Sequence, residues 1–291
     1  MRDAGRTGVM LMLVGSVVLA TADALTKLLT EALPVGQLVC LRSALMVGLI
    51  LAYACRGGRR GPGMRRVLAT RNRLGQALRA AFMVCSSLMF VAGLSFLPLP
   101  TASTVNAAGP LFTTALAPLL LGELVGWRRW AAVATGFSGV VLITWPTEGF
   151  VNWAILLPIG AALSGALRDL ITRHMGGTES GESMMPWGTL ALVVVCLFSL
   201  PFGWVVPDLV TVLVLVVLAF FHCAGQLLMV EAFRRAEAGL VVPFKYTMLV
   251  WAVVFGYVFW HHIPQWNVVA GAAVIVCATL YIFRREAAVR H

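Results

Sequence analysis

Ten apolar segments follow one another along this chain, and each is long enough to cross the ~30 Å hydrocarbon core of a bilayer as a helix. Charged residues make up only 12% of the sequence, whereas a soluble domain carries about 25%. We therefore predict an all-α polytopic membrane protein. The predicted spans are roughly 8–29, 34–54, 74–96, 99–121, 127–144, 153–175, 184–203, 208–230, 239–260 and 266–283.

The basic residues favour one orientation in the membrane. If the N-terminus is cytoplasmic, 17 of the 22 Lys and Arg residues lie on the cytoplasmic side, including seven in the loop 56–73. This is the positive-inside pattern. It accounts for the net charge of +10 without a nucleic-acid partner. We expect a multi-pass protein of the bacterial inner membrane with both termini in the cytoplasm.

A weak internal repeat divides the chain. Asp23 and Lys27 return as Asp169 and Arg173 at a spacing of 146 residues, and residues 88–143 match 228–282 at a spacing of 139 or 140. Acid and base four residues apart share one helix face, so each pair is expected to form a structural charge pair. Five spans per repeat predict two inverted five-helix repeats around a central cavity, at 1–148 and 149–291. Inverted repeats are typical of transporters. Because one chain holds both repeats, we expect a monomer.

Short motifs in the first repeat carry a family resemblance. They are Pro98…Ala102-Ser103…Pro110, Leu121-Gly122-Glu123 and Trp127…Gly136…Gly139, with Lys27, Pro34 and Arg42 upstream. With these the chain resembles the drug/metabolite transporter superfamily, in particular its ten-span EamA-type members, and among them amino-acid exporters of the YddG type. The resemblance implies alternating-access movement of small metabolites such as amino acids, nucleosides, riboflavin, S-adenosylmethionine or sugars. The second repeat departs from the Leu-Gly-Glu motif, because Trp260-His261-His262 stands there.

Within the predicted spans, cations outnumber acids, which suggests a substrate that carries a carboxylate. Arg42 and Lys245 are the candidates to bind it, while Tyr246 and Trp251 would shape an apolar pocket. Pro243 precedes Lys245 and would loosen the ninth span so that its backbone lines a cavity. The structural alternatives are that Arg42 pairs with Asp23 or Glu31, and that Lys245 pairs with Glu231 or Asp169.

Further polar residues within the spans are weaker candidates. Adjacent residues of a helix point about 100° apart, so Arg168 is not expected to join the salt bridge between Asp169 and Arg173. It is expected to need another partner or water. His222, Gln226 and Asn106 are either cavity groups or interhelical hydrogen bonds. Arg79 lies close enough to the cytoplasmic side for its side chain to extend to the interface, which favours a structural role.

The sequence contains no enzyme motif, no metal-ligand spacing and no nucleotide-binding loop, so we expect neither catalysis nor a cofactor. The sequence therefore predicts a secondary transporter, an exporter of amino acids or related metabolites. The alternatives are a flippase for lipid-linked substrates, which would use the basic loop 56–73, a carrier of a nucleoside or vitamin, and a channel. The polar residues are too sparse for a wide aqueous pore.

Overall fold

The computed structural model describes residues 2–55, 70, 72–122, 126–145, 153–175, 181–236 and 238–289. Within these ranges the chain forms α-helices, one 3-10 turn and no strand. The helices of the first half are α1 (Arg2–Thr30), α2 (Val35–Cys55), α3 (Arg73–Phe96), α4 (Leu99–Asn106), α5 (Gly109–Leu121) and α6 (Trp127–Thr144). Those of the second half follow the 3-10 turn Trp153–Ile155 and are α7 (Leu156–Met175), α8 (Gly181–Leu197), α9 (Leu209–Arg235), α10 (Ala238–Lys245), α11 (Thr247–Trp260) and α12 (Trp266–Val289).

These helices form the ten predicted spans, but two spans are broken. The fourth consists of α4 and α5, and the ninth of α10 and α11. Seven of the spans are long and apolar enough to cross a membrane by themselves, and Pro186–Leu197 and Trp266–Ile282 are shorter apolar helices. The predicted class, an all-α polytopic membrane protein, is confirmed.

The helices of the two repeats pack on each other in equivalent pairs. Helix α1 packs on α9, and α3 packs on α7, so the first span of each repeat lies against the third span of the other. The second spans, α2 and α8, pack on each other, as do the last spans, α6 and α12. Exchange of the two repeats therefore maps the first two contacts onto each other and each of the last two onto itself, as an inverted repeat requires.

Small residues bring the paired helices close together. At the α6–α12 contact a Cβ on Gly139 would lie 2.9 Å from the carbonyl oxygen of Gly271, and one on Gly271 would lie 2.6 Å from that of Gly139. On α9, a Cβ on Gly225 would meet Leu19 of α1. In a membrane, where hydrophobicity does not drive helices together, such close backbone packing supplies much of the association energy.

The two breaks occupy equivalent positions in the repeats. Ala107, between α4 and α5, and Tyr246, between α10 and α11, are related by the same spacing of 139 residues that the sequence repeat shows. At each break the backbone tightens to an i−3 hydrogen bond, from Ala108 N to Val105 O (3.1 Å) and from Tyr246 N to Pro243 O (3.3 Å). Proline near each break removes a helical N–H donor. The prediction that Pro243 would loosen the ninth span is confirmed.

Candidate binding cavity

A cavity of about 1040 Å³ lies between the two repeats. This volume lies just above the range for clefts that bind drug-sized ligands, ~300–1,000 Å³. The cavity extends from the middle of the bundle to the end at which α1 begins, here called the near end, where Arg129, Arg173 and Phe233 line it. The opposite end, here called the far end, contributes no lining residue from the part of the chain that the structure describes.

Most of the polar residues that the sequence singled out lie on this cavity's wall, on α2, on both broken spans and on α7 and α9. They are Arg42, Asn106, Arg168, His222, Gln226, Lys245 and Tyr246. The residues expected to form structural charge pairs, Asp23, Asp169 and Arg173, line the same cavity. The two repeats therefore direct their intramembrane charges towards one shared space.

Trp251, which was predicted to shape the pocket, is not among the residues that line the cavity. It is half-buried, and its ring lies 6.0 Å from that of Phe255. Five residues along a helix correspond to ~500°, which turns Trp251 away from the face that carries Tyr246. Met248 and Leu249, which follow the break directly, line the cavity instead.

Lys27 does not pair with Asp23, contrary to the expectation from their spacing. Its ammonium donates to the carbonyl oxygens of Leu94 and Leu97 (both 2.9 Å) at the end of α3. These carbonyls have no partner within the helix, and a buried cation at a helix C-terminus satisfies them. The carboxylate of Asp23 is left on the cavity wall, where the charge that acts on it is Arg42.

Arg168 pairs with Asp169, contrary to the prediction from helix geometry. Arg168 Nε and one terminal nitrogen donate to Asp169 Oδ1 at 3.0 and 2.8 Å. The long Arg side chain folds back across the ~100° between neighbouring helix positions, and both side chains remain partly exposed to the cavity, at 33% and 56%. The expected pair of Asp169 with Arg173 is therefore replaced by a pair between sequence neighbours.

Arg42 is the most deeply buried cation of the cavity, at 7% exposure. One of its terminal nitrogens donates to Ser87 Oγ (2.9 Å), and its Nε is buried without a hydrogen-bond partner among the described residues. Nδ1 of His222 and Oγ of Ser43, on the same cavity, are also buried without one. A guanidinium has five N–H donors, so Arg42 has donors beyond the one given to Ser87 that lack a hydrogen-bond partner among the described residues.

Lys245 is the last residue of α10 and is exposed to the cavity, close enough to Asp169 to interact electrostatically. Glu231, its other predicted partner, instead accepts a hydrogen bond from Arg235 at 2.7 Å. The repeat spacing relates Lys245 to Asn106, the last residue of α4. Both broken spans therefore present a polar side chain at the break, and the N-terminus of the following half-helix adds partial positive charge there.

The hydroxyl side chains of the wall and one loop arginine were not predicted from the sequence. Ser43, Ser86, Ser87 and Thr114 line the cavity, as does Arg129, which had been counted only as a cytoplasmic charge. Hydroxyls are common inside membrane helices because they bond to their own backbone, as Thr114 does to Pro110 O at 3.0 Å. Their presence in a span therefore gave no signal. Glu123 and the basic loop 56–69 lie outside the described residues.

Arg79, the fifth cation of the spans, does not line the cavity. Its Nε donates to Thr172 Oγ1 (3.0 Å), which connects α3 to α7. This placement agrees with the structural role expected for it, although its partner is a neighbouring helix.

Polar contacts hold the far end together. Trp260 Nε1, at the end of α11, donates to Glu31 Oε1 (2.7 Å) just beyond α1, and the ammonium of Lys27 lies 5.5 Å from the centre of the Trp260 ring. With the bonds from Lys27 to the end of α3, these contacts connect the first, third and ninth spans. The cavity is therefore closed at the far end.

Comparison with known proteins identifies the family. The model of the EamA-like transporter family matches residues 6–145 and again 152–284. The chain belongs to the EamA-like transporter family. It is 33% identical over 198 residues to a riboflavin transporter of Rhizobium johnstonii, covering 68% of this chain and 66% of that protein. It is 30% identical to an S-adenosylmethionine uptake transporter of Rickettsia prowazekii, covering 76% of each.

Two more distant matches cover almost the whole chain. A pseudopaline exporter of Pseudomonas aeruginosa is 25% identical, with 98% of both chains covered. A crystal structure with 19% sequence identity superimposes with a TM-score of 0.65, covering 98% of this chain and 99% of that one. The family match makes the chain a membrane transporter, and the superposition shows that its fold occurs in a solved structure.

Proposed function

We propose that this protein is a secondary transporter of small metabolites that carry a carboxylate, with amino acids as the first candidates. The observation that carries the proposal is the charge on the cavity wall. Arg42, Arg168 and Lys245 face two acids, Asp23 and Asp169, so the wall suits a zwitterion or an anion. A cation this deep in a membrane protein is costly unless it is paired or hydrated, and a substrate carboxylate would supply such a partner.

Movement would follow alternating access between the two repeats, with the described structure open at the near end. We propose that the near end faces the cytoplasm of a bacterium, that the protein lies in the inner membrane as a monomer, and that it works as an exporter. The density of Lys and Arg in near-end segments supports this orientation. Reporter domains fused to the C-terminus test it: a fluorescent protein should fold and a periplasmic phosphatase should stay inactive.

A larger substrate of the riboflavin or S-adenosylmethionine type is the second candidate. The cavity volume of about 1040 Å³ exceeds what a free amino acid needs, and relatives with these names align with the chain. S-Adenosylmethionine contains the head group of an amino acid, so the same charges could bind it. Riboflavin would depend on stacking and hydrogen bonds rather than on Arg42.

Counterflow in proteoliposomes separates these candidates. Vesicles are preloaded with unlabelled amino acids, riboflavin, S-adenosylmethionine or nucleosides, and the uptake of the labelled compound is followed. We expect saturable exchange of an amino acid or of S-adenosylmethionine. Exchange of riboflavin alone would reject the carboxylate proposal, and silence across the panel from folded protein would favour lipid-linked substrates.

Variants then test the cavity residues. Arg42→Gln and Lys245→Gln should each lower transport at least tenfold, because each removes a charge-assisted hydrogen bond to the carboxylate. Arg235→Gln is the matched control, since Arg235 pairs with Glu231 outside the cavity. Transport that survives both cavity substitutions, with expression unchanged, would show that the carboxylate is bound elsewhere.

A further inference from the structure

Asp23 and Asp169 are equivalent acids of the two repeats, yet they differ in their partners. Asp169 accepts two hydrogen bonds from Arg168 at 3.0 and 2.8 Å. Asp23 has no hydrogen bond or salt bridge with any described residue, although the charge of Arg42, which lines the same cavity, acts on it. One acid is therefore already neutralised by its neighbour, and the other is not.

The partner that the sequence suggested for Asp23 is used elsewhere. Lys27 is turned away to the carbonyl oxygens of Leu94 and Leu97, so it supplies no N–H to the Asp23 carboxylate. The position of Asp23, half-buried within α1 and on the cavity wall, leaves the carboxylate accessible to a ligand. An anion at this depth without a direct partner is costly unless something in the transport cycle binds it.

Arg42 is in a complementary state. Ser87 accepts one of its N–H groups, and its Nε is buried without a partner while the side chain is 93% buried. Opposite charges thus face one cavity from α1 and α2 without forming a salt bridge to each other. A ligand that carries both charges would bind both residues at once, with its carboxylate hydrogen-bonded to Arg42 and its ammonium hydrogen-bonded to Asp23.

We infer that Asp23 is the residue that binds the ammonium group of the substrate, and that it makes the protein select zwitterions over simple carboxylates. This inference rests on the proposed function, because it assumes a carboxylate on Arg42. It assigns different roles to the two repeat-related acids. Asp23 determines specificity, whereas Asp169 holds Arg168 in place.

The experiment compares three probes that share one side chain. These are L-methionine, its deaminated carboxylate analogue and its decarboxylated amine analogue, each used to compete with the counterflow of labelled L-methionine or S-adenosylmethionine. For the unmodified protein, we expect L-methionine to compete at least tenfold better than either analogue, since each analogue leaves one cavity charge unpaired. Equal competition by the deaminated analogue would overturn the inference without any variant.

Substitutions assign the preference to a residue. Asp23→Asn should reduce the preference for L-methionine over the deaminated carboxylate about tenfold or more, while Asp23→Glu should retain it. Asp169→Asn, the matched control from the other repeat, should leave this ratio within about twofold, whatever it does to the overall rate. A ratio that falls only in Asp169→Asn, or in neither variant, would overturn the inference while leaving the proposed carboxylate transport standing.

A different pattern would reject the proposed function itself. If no carboxylate drives or inhibits counterflow, the assumption on which both rest is wrong. Thermal unfolding of each variant in detergent identifies those that are misfolded. Should Asp23→Asn fail to fold, N-methylated and trimethylated L-methionine tested on the unmodified protein replace it. Full competition by the trimethylated compound, which has no N–H to donate, would contradict a hydrogen-bonded ammonium site.

Discussion

Lys27 and Arg173 occupy equivalent positions of the two repeats, but one is buried and the other is exposed. Lys27 is 7% exposed and closes the far end through Leu94 and Leu97. Arg173 is exposed and lines the cavity near its opening. The same position of the repeat thus lies in a closed environment in one half and in an open environment in the other.

This difference is what an inverted repeat allows. If the two halves exchange conformations, the near end closes and the far end opens, and the same site faces the other side of the membrane. In the proposed transport cycle, Lys27 would then leave the end of α3 while Arg173 became buried. Residues whose contacts belong to only one of the two states are the places at which this comparison can be tested.

The largest effect is expected from Lys27→Met. The substitution leaves the carbonyls of Leu94 and Leu97 without their cation, and a hydrogen bond to a charged group contributes about 1.5–3 kcal/mol. We expect a clear decrease in melting temperature and increased access to the far end. Arg173→Met, at the equivalent exposed position, should lower the melting temperature less, because the contacts of an exposed charge contribute only about 0–1 kcal/mol. Equal losses in the two variants would contradict the proposed difference between the halves.

A smaller effect is expected from Trp260→Phe. The aromatic ring is kept, but the hydrogen bond of Trp260 Nε1 to Glu31 is lost, so the far end should open more often. The opening is measured in a chain whose natural cysteines have been replaced and which carries Leu94→Cys. An impermeant maleimide added from the far side labels this cysteine when the far end opens. Trp153→Phe is the control, because Trp153 contacts Phe96 through its ring. Labelling that rises equally in both variants would rule out a specific role for the hydrogen bond.

Much of the fold could be predicted because lipid leaves few alternatives. Apolar length predicted the spans, and the shared spacing of 139 residues aligned the fourth span with the ninth. The breaks were only half foreseen. Pro243 indicated the one at Tyr246, whereas the break at Ala107 went unpredicted although Pro110 lies beside it. Proline is tolerated inside many membrane helices, so its presence alone does not locate a break.

The charges show where reasoning from helix spacing failed. A spacing of four residues predicted that Lys27 would bond to Asp23, but the unpaired carbonyls at the end of α3 compete for the same ammonium. Those carbonyls are 67 and 70 residues away in the sequence, and only the tertiary fold brings them close. The pairing of Arg168 with Asp169 was missed for the opposite reason, since the flexible Arg side chain overrides the direction of its Cβ.

The two breaks also differ in how their backbone is satisfied, which predicts a third effect. Ser16 Oγ of α1 lies 3.4 Å from the carbonyl oxygens of both Phe244 and Lys245. The equivalent residue beside the first break is Ala162, which has no hydroxyl. Ser16→Ala should destabilise the protein by about 0.5–1 kcal/mol, a typical value for an interhelical hydrogen bond in a membrane protein. Denaturation in mixed micelles measures it, with Ser95→Ala as control. No change in stability would show that these long contacts contribute nothing.

The smallest effect is expected from breaking the pair of Arg168 with Asp169. Both side chains are partly exposed to the open cavity, at 33% and 56%, so water competes for their charges and such pairs contribute about 0–1 kcal/mol. Asp169→Asn should therefore leave the melting temperature almost unchanged at moderate salt in the structure described here. In a state closed at the near end the same pair would be buried, and its removal would then cost more. Measuring the unfolding of Asp169→Asn with and without a substrate that closes the near end distinguishes the two environments. A large destabilisation without substrate would mean that the near end is already closed. This result would contradict the proposed difference in environment between Lys27 and Arg173.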